Sequence, residues 1–169
     1  ISFKESTLAP ADITLNKTLT ANGSIAVDGG TGSSRTVTIS SITGDGTLGI
    51  SIAAGTASDT AGNTALGAGP STTFTADNTA PTVSISGPSV AVAKNGTNVT
   101  YTVTYGGADT VTLTNTNVTL NASGPTADIA VSGSGTASRT VTLSNINGDG
   151  AVGISIAAGT ASDTAGNTA

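Results

Sequence analysis

The sequence predicts an all-β chain built from tandem antiparallel sandwiches, because short runs of residues alternate between apolar and polar and because these runs recur along the chain. In the segment 99–105, valine and tyrosine alternate with threonine. This period of two is typical of a strand with one buried face. Threonine is β-branched and suits the exposed face of a strand. No segment shows a sustained 3.6-residue period, so no helix is predicted.

An internal repeat sets the domain size. Gly49–Ala65 reads GISIAAGTASDTAGNTA, and Gly153–Ala169 reads the same, letter for letter. Further back, Ser34–Thr38 matches Ser138–Thr142 at an offset of about 104 residues. Solenoid coils repeat every 20 to 45 residues or so, whereas a β-sandwich domain has about 100 residues. Each repeat is therefore predicted to be one sandwich domain.

The repeat divides the chain into two predicted domains, 1–79 and 80–169. We expect the first to lack its N-terminal strands and the second to lack its last strand. The alternating runs of the second domain predict strands at 82–86, 99–105, 110–113, 118–120, 129–131, 140–143 and 153–156. In the first domain, 71–76 is predicted to be the closing strand. About seven antiparallel strands per repeat fit an immunoglobulin-like, Greek-key sandwich.

Turns and packing groups complete the fold prediction. Glycine takes positive φ at no steric cost, so 44–46 and 148–150 are predicted to be tight turns, with Asp45 and Asp149 as ordinary turn residues. Asn95-Gly96 is predicted to form a two-residue hairpin turn.

Each core must be built mainly from small aliphatic side chains, because large aromatic groups are few. The large packing groups are Phe3, Phe74, Tyr101 and Tyr105.

The charge and composition exclude several classes of function. The net charge is −5, which argues against a nucleic-acid partner and against a basic membrane-surface helix. No apolar run reaches the roughly 20 residues of a membrane-spanning helix, so direct membrane insertion is not predicted. The chain has no Cys and no His, so few side chains could act as a nucleophile or general base. Its Asp residues recur in both repeats, whereas a catalytic set should be unique. The sequence therefore predicts a protein that is not an enzyme.

The junction between the repeats resembles a known family. It reads Asp77-Asn78-Thr79-Ala80-Pro81, and Asp59-Thr60-Ala61-Gly62-Asn63 precedes it. These segments resemble the tandem bacterial immunoglobulin-like (Big-type) repeats of large surface proteins and adhesins, and the linker also resembles the D-N-x-A-P stretch of cadherins. The resemblance implies an extracellular or cell-surface location and a structural role as a repeat of a stalk, fibre or filament. Its partners would be neighbouring repeats of the same chain or neighbouring subunits of a fibre.

The alternative is an adhesin module that binds host or surface glycans or proteins. Such sites usually rely on aromatic anchors and arginine, and this chain has only two Phe and two Tyr.

The resemblance also implies calcium at the repeat junctions. Calcium takes six to eight oxygen ligands, and a shared ion would stiffen the junction. Asp77 is the first candidate ligand, Asp59 and Asn63 come next, and Asp109 is a further candidate from the second repeat. Glu5 is the only glutamate, so any such site would contain few carboxylates. The alternative is that these side chains only cap turns through nearby backbone groups.

Overall fold

A computed structural model describes residues 5–30 and 33–169, so Phe3 lies outside the described residues. The chain forms two compact units, Ile1–Thr79 (unit 1) and Ala80–Ala169 (unit 2). Both consist of antiparallel sheets, which confirms the all-β prediction and is consistent with β-sandwiches. In the described part of the chain, no helix is long and apolar enough to cross a membrane.

Short strands make up the described part of unit 1. They are β1 (Glu5–Ser6), β2 (Ile13–Lys17), β3 (Asn22–Val27), β4 (Val37–Thr43), β5 (Gly46–Ile52), β6 (Ala57–Ser58) and β7 (Phe74–Ala76). Strand β5 lies between β2 and β7, β3 pairs with β4, and β1 pairs with β6. Strand β7 is shorter than the predicted segment 71–76. Its residue Phe74 is 43% exposed, so this aromatic side chain is not the core group that its size suggests.

Unit 2 contains counterparts of β1 to β6 in the same order, and two further strands precede them. Its strands are β8 (Thr82–Ile85), β9 (Val99–Gly106), β10 (Thr110–Val111), β11 (Val118–Ala122), β12 (Thr126–Ser132), β13 (Ser138–Asn147), β14 (Val152–Ile156) and β15 (Ala161–Ser162). Four strands form one sheet in the order β12-β13-β9-β8, while β11 pairs with β14 and β10 with β15.

The repeat is preserved in strand register. In unit 1, Ile13 lies opposite Ile52, and in unit 2, Val118 lies opposite Ile156. The shared segments therefore form the same strand pair in both units.

The core of unit 2 is built on the alternation in β9. Val99, Tyr101, Val103 and Tyr105 are at most 6% exposed, and the threonines between them lie on the outer face. The hydroxyl of Tyr105 donates a 3.0 Å hydrogen bond to the hydroxyl of the buried Thr160, so its polar end is satisfied inside the core.

The core of unit 1 is smaller. Its main cluster consists of Ala21, Leu48 and Ala76, with Leu15 and Ile39 packed against them. Val141 and Leu143 of β13 are almost fully buried in unit 2, but their repeat equivalents Val37 and Ile39 are only half-buried. Strand β13 lies between β12 and β9, whereas β4 pairs only with β3 among the described residues. Val141 and Leu143 are therefore more buried on a strand that has a partner on each side.

Three local features differ from the sequence predictions. Pro10–Asp12 and Asn115–Asn117 each form one turn of 3-10 helix, which is too short to produce a helical period. In each turn the third residue accepts a hydrogen bond from the backbone N–H just before the turn. Asn95-Gly96 does form a turn, with φ +82° at Gly96, but it lies inside the long connection between β8 and β9 instead of joining them as a hairpin.

Candidate functional site

The Asp59 carboxylate is at the centre of a tight turn. Its Oδ1 accepts hydrogen bonds from the backbone N–H groups of Ala61 and Asn63, both at 2.9 Å, and its Oδ2 accepts one from the Asn63 side-chain amide at 2.8 Å. The Asn63 side chain is the main reason that the pKa of Asp59 lies below its ordinary value, because these hydrogen bonds favour the charged form. The candidate ligands Asp59 and Asn63 therefore lie together and are hydrogen-bonded to each other.

The same turn recurs in unit 2. Asp163 accepts hydrogen bonds from the backbone and the side chain of Asn167, at 2.9 and 2.8 Å. The Asn167 side chain is again the main cause of the lowered pKa of Asp163. A turn that appears twice with the same hydrogen bonds acts as a structural element of the repeat.

The other two candidate ligands, Asp77 and Asp109, accept hydrogen bonds in two different places. The Oδ1 of Asp77 accepts a 3.1 Å hydrogen bond from the backbone N–H of Thr79 in unit 1. The Oδ2 of Asp109, in unit 2, accepts hydrogen bonds from the backbone N–H and the hydroxyl of Thr164, at 2.8 and 3.0 Å. Asp77 thus caps its own local turn, whereas Asp109 links the β9–β10 connection to the turn that contains Thr164, 55 residues away in sequence.

The hydrogen bonds of Asp59 and Asp77 are those of turn caps, the alternative to calcium ligation. Across residues 5–30 and 33–169, no three acidic, His or Cys side chains come close enough together to hold a metal. Calcium prefers several carboxylate and carbonyl oxygens around one point, whereas both oxygens of Asp59 already accept from N–H donors. The calcium site stays a prediction.

Asp45 does more than the sequence indicates. Its Oδ1 accepts a 2.7 Å hydrogen bond from the backbone N–H of Asn78, and its Oδ2 accepts a 3.0 Å hydrogen bond from the hydroxyl of Thr79. The Asn78 side-chain amide also donates to the carbonyl of Gly44 at 2.6 Å. The turn at 44–46 therefore binds the chain just after β7. The partners are about 33 residues apart in sequence, so no local pattern could have indicated this clamp.

Unit 2 contains a cleft of about 340 Å³. Val99, Tyr101 and Leu143 form part of its apolar wall, and Gly148–Val152 borders it. The cleft therefore joins the core of unit 2 to the turn at 148–150 and to the start of β14. Its walls come from segments that are far apart in the sequence, so no local pattern predicts the cleft.

Comparison with family models, curated proteins and solved structures finds no match to this chain.

Proposed function

We propose that this chain is a structural repeat segment of an extracellular stalk, fibre or filament on a bacterial surface protein, and that each unit is an immunoglobulin-like, Greek-key sandwich of about seven strands. The observation that supports this function is the duplication of structural contacts. The β2–β5 pairing of unit 1 recurs as β11–β14 in unit 2, and the Asp59–Asn63 turn recurs as the turn between Asp163 and Asn167.

Duplicated contacts favour a structural role over a recognition role. A binding or catalytic site needs one particular constellation, whereas an array that spans distance needs the same stable unit again and again. Exposed aromatic anchors would favour the alternative, an adhesin module that recognises glycans or proteins. Both tyrosines are at most 6% exposed, although Phe74 is partly accessible. The duplication therefore supports the structural role more strongly.

Small-angle X-ray scattering of the full chain tests the structural role. A spacer should give one elongated population whose distance distribution does not change with protein concentration. It should also show no retention on arrays of glycans and matrix proteins. A compact shape, or saturable binding to one array component, would favour the adhesin module instead.

Calcium at the junction belongs to the same proposal and has its own test. A metal that binds only the folded protein must raise the melting temperature. With millimolar calcium in place of chelator, we expect Tm to rise and the distribution of molecular shapes measured by small-angle scattering to lengthen or narrow. Asp77→Ala should abolish both effects, while Asp128→Ala, which removes the same charge from β12, should preserve them. Equal Tm values with calcium and with chelator would reject the calcium site and leave the carboxylates as turn caps.

A further inference from the structure

Asparagine followed directly by glycine occurs three times in the chain. The pairs are Asn22-Gly23, Asn95-Gly96 and Asn147-Gly148. In such a pair the backbone nitrogen of the glycine can attack the side-chain amide carbon of the asparagine. The attack is intramolecular, and glycine carries no side chain that obstructs it. The reacting groups are the same in all three pairs, so the structure around each pair decides which of them reacts.

The first pair is held in a sheet. Asn22 lies in β3 opposite Thr43 of β4. Its side-chain carbonyl oxygen accepts a 3.1 Å hydrogen bond from the ammonium group of Lys17. A Cβ placed on Gly23 would lie only 2.8 Å from the side chain of Ile39, so the glycine is crowded. Attack at Asn22 therefore requires local opening of the strand pair, which costs free energy.

The third pair is also held in a sheet. Asn147 lies in β13 opposite Thr126 of β12. A Cβ placed on Gly148 would lie 3.4 Å from Cα of Pro125, so this glycine also has a close backbone neighbour. Attack at Asn147 requires the end of the β12–β13 pair to open first.

The middle pair lies outside every strand. Asn95 and Gly96 are exposed, in a turn closed by a 3.0 Å hydrogen bond from the N–H of Thr97 to the carbonyl of Lys94. The φ of +82° at Gly96 is that of the third residue of a type II turn. Among the described residues, no group is hydrogen-bonded to the Gly96 N–H or to the Asn95 side chain, and a Cβ on Gly96 would meet nothing within 4 Å. Both reacting groups can therefore move without breaking a strand pair.

We propose that Asn95 is a deamidation site of the folded chain and that the sheets protect the other two pairs. The Gly96 nitrogen loses its proton to a hydroxide ion and forms a bond to Cγ of Asn95. The bond from Cγ to Nδ2 then breaks, and ammonia leaves with a proton from water. Water opens the resulting five-membered imide. Cleavage at Cγ gives aspartate, whereas cleavage at the backbone carbonyl carbon gives isoaspartate, in which the main chain runs through Cβ and Cγ.

The reaction changes the connection between β8 and β9 and leaves the sheet in place. Either product adds one negative charge beside Lys94, and isoaspartate also lengthens the main chain inside the turn. Other backbone hydrogen bonds, from Ser86 to Thr102 and from Ser89 to Thr100, both 2.9 Å long, hold the start of the connection against β9. The proposal does not depend on the structural role proposed above.

Tryptic mapping by mass spectrometry tests the site, because the Lys and Arg residues place the three pairs on different peptides. After incubation of the folded full chain in mildly alkaline buffer, each conversion raises the peptide mass by about one dalton, since a hydroxyl group replaces an amino group. We expect residue 95 to convert at least about tenfold faster than residues 22 and 147. The rate should rise with pH, because the deprotonated nitrogen is the nucleophile. Asn95→Gln should remove the fast product, because its longer side chain must close a less favourable ring, and should leave the other two rates unchanged.

Incubation in concentrated urea is the control for the effect of structure. Unfolding removes the strand pairing, so the three sites should then convert at similar rates. Three outcomes would overturn the proposal. The folded chain could convert at equal rates at all three sites, or it could remain unconverted at residue 95 over a period in which the unfolded chain reacts there. Alternatively, residue 95 could keep the same advantage in urea, which would assign the difference to local sequence instead of to the fold.

Discussion

Val141 and Val37 occupy the same position of the repeat in different surroundings, so truncating each to alanine measures the contribution of the strand that covers only one of them. Val141 is fully buried, with β12 and β9 on either side of its strand, whereas Val37 is half-buried. Val141→Ala removes two methyl groups from a packed core. At about 0.8 kcal/mol each plus a cavity term, the cost is about 2 to 3 kcal/mol. Val37→Ala should cost about 1 kcal/mol or less, because part of its surface already faces water.

Urea unfolding separates the two effects. The chain has no Trp, and its only two tyrosines, Tyr101 and Tyr105, lie in unit 2. Tyrosine fluorescence therefore reports on unit 2, whereas far-UV circular dichroism reports on both units. With a slope of about 1 to 2 kcal/mol per molar urea, Val141→Ala should lower the midpoint of the tyrosine transition by about 1 to 2 M. Val37→Ala should leave that transition in place and should shift only part of the dichroism signal.

Two results would refute this reasoning. If Val37→Ala shifts the tyrosine transition as far as Val141→Ala does, the units do not unfold independently. If Val141→Ala shifts it by less than Val37→Ala shifts the dichroism signal, the position is not the better packed of the two. Either result would remove the basis for comparing the units position by position.

Two further predictions concern buried and charged hydrogen bonds. The Asn partners of Asp59 and Asp163 lower the pKa of these two carboxylates in the folded protein. Each carboxylate therefore stabilises its unit at pH values above the unfolded pKa of about 3.9. That contribution is lost as the pH falls through the lower folded pKa. The urea concentration at the unfolding midpoint should therefore decrease as the pH is lowered below about 4. This decrease should be smaller in Asp59→Asn when followed by dichroism, and smaller in Asp163→Asn when followed by tyrosine fluorescence. An unchanged acid dependence in both variants would contradict this. Tyr105→Phe should lower the unfolding free energy of unit 2 by about 1 to 3 kcal/mol, because it leaves the buried Thr160 hydroxyl without its donor. The loss should be larger than that of Tyr101→Phe, because the Tyr101 hydroxyl makes a longer bond of 3.4 Å, to the carbonyl of Val152. Equal urea midpoints for the two variants by tyrosine fluorescence would be the contrary result.

The sequence predicted the strands best where alternation was strong. Segment 99–105 became β9, and 118–120 lies within β11, because a half-buried strand needs the period-two pattern that these segments show. Burial was harder to predict: Val37 and Val141 have the same sequence neighbours, but a distant strand covers only one of them. The turn at Asp59 was predicted as the alternative to calcium, since aspartate readily binds nearby backbone N–H groups. The clamp at Asp45 depends on residues far along the chain, and no local pattern encodes it.

The identical segments 49–65 and 153–169 have a consequence for folding. Residues 49–52 and 153–156 are the same, so the local sequence does not favour the pairing of β2 with β5 over its pairing with β14. Distance along the chain makes the choice: Ile13 lies 39 residues from Ile52 and 143 residues from Ile156. Closing the longer loop costs about 1.2 kcal/mol more, which favours the correct pairing only roughly sevenfold. Refolding at high concentration should therefore give misassembled chains more often than in arrays of divergent repeats.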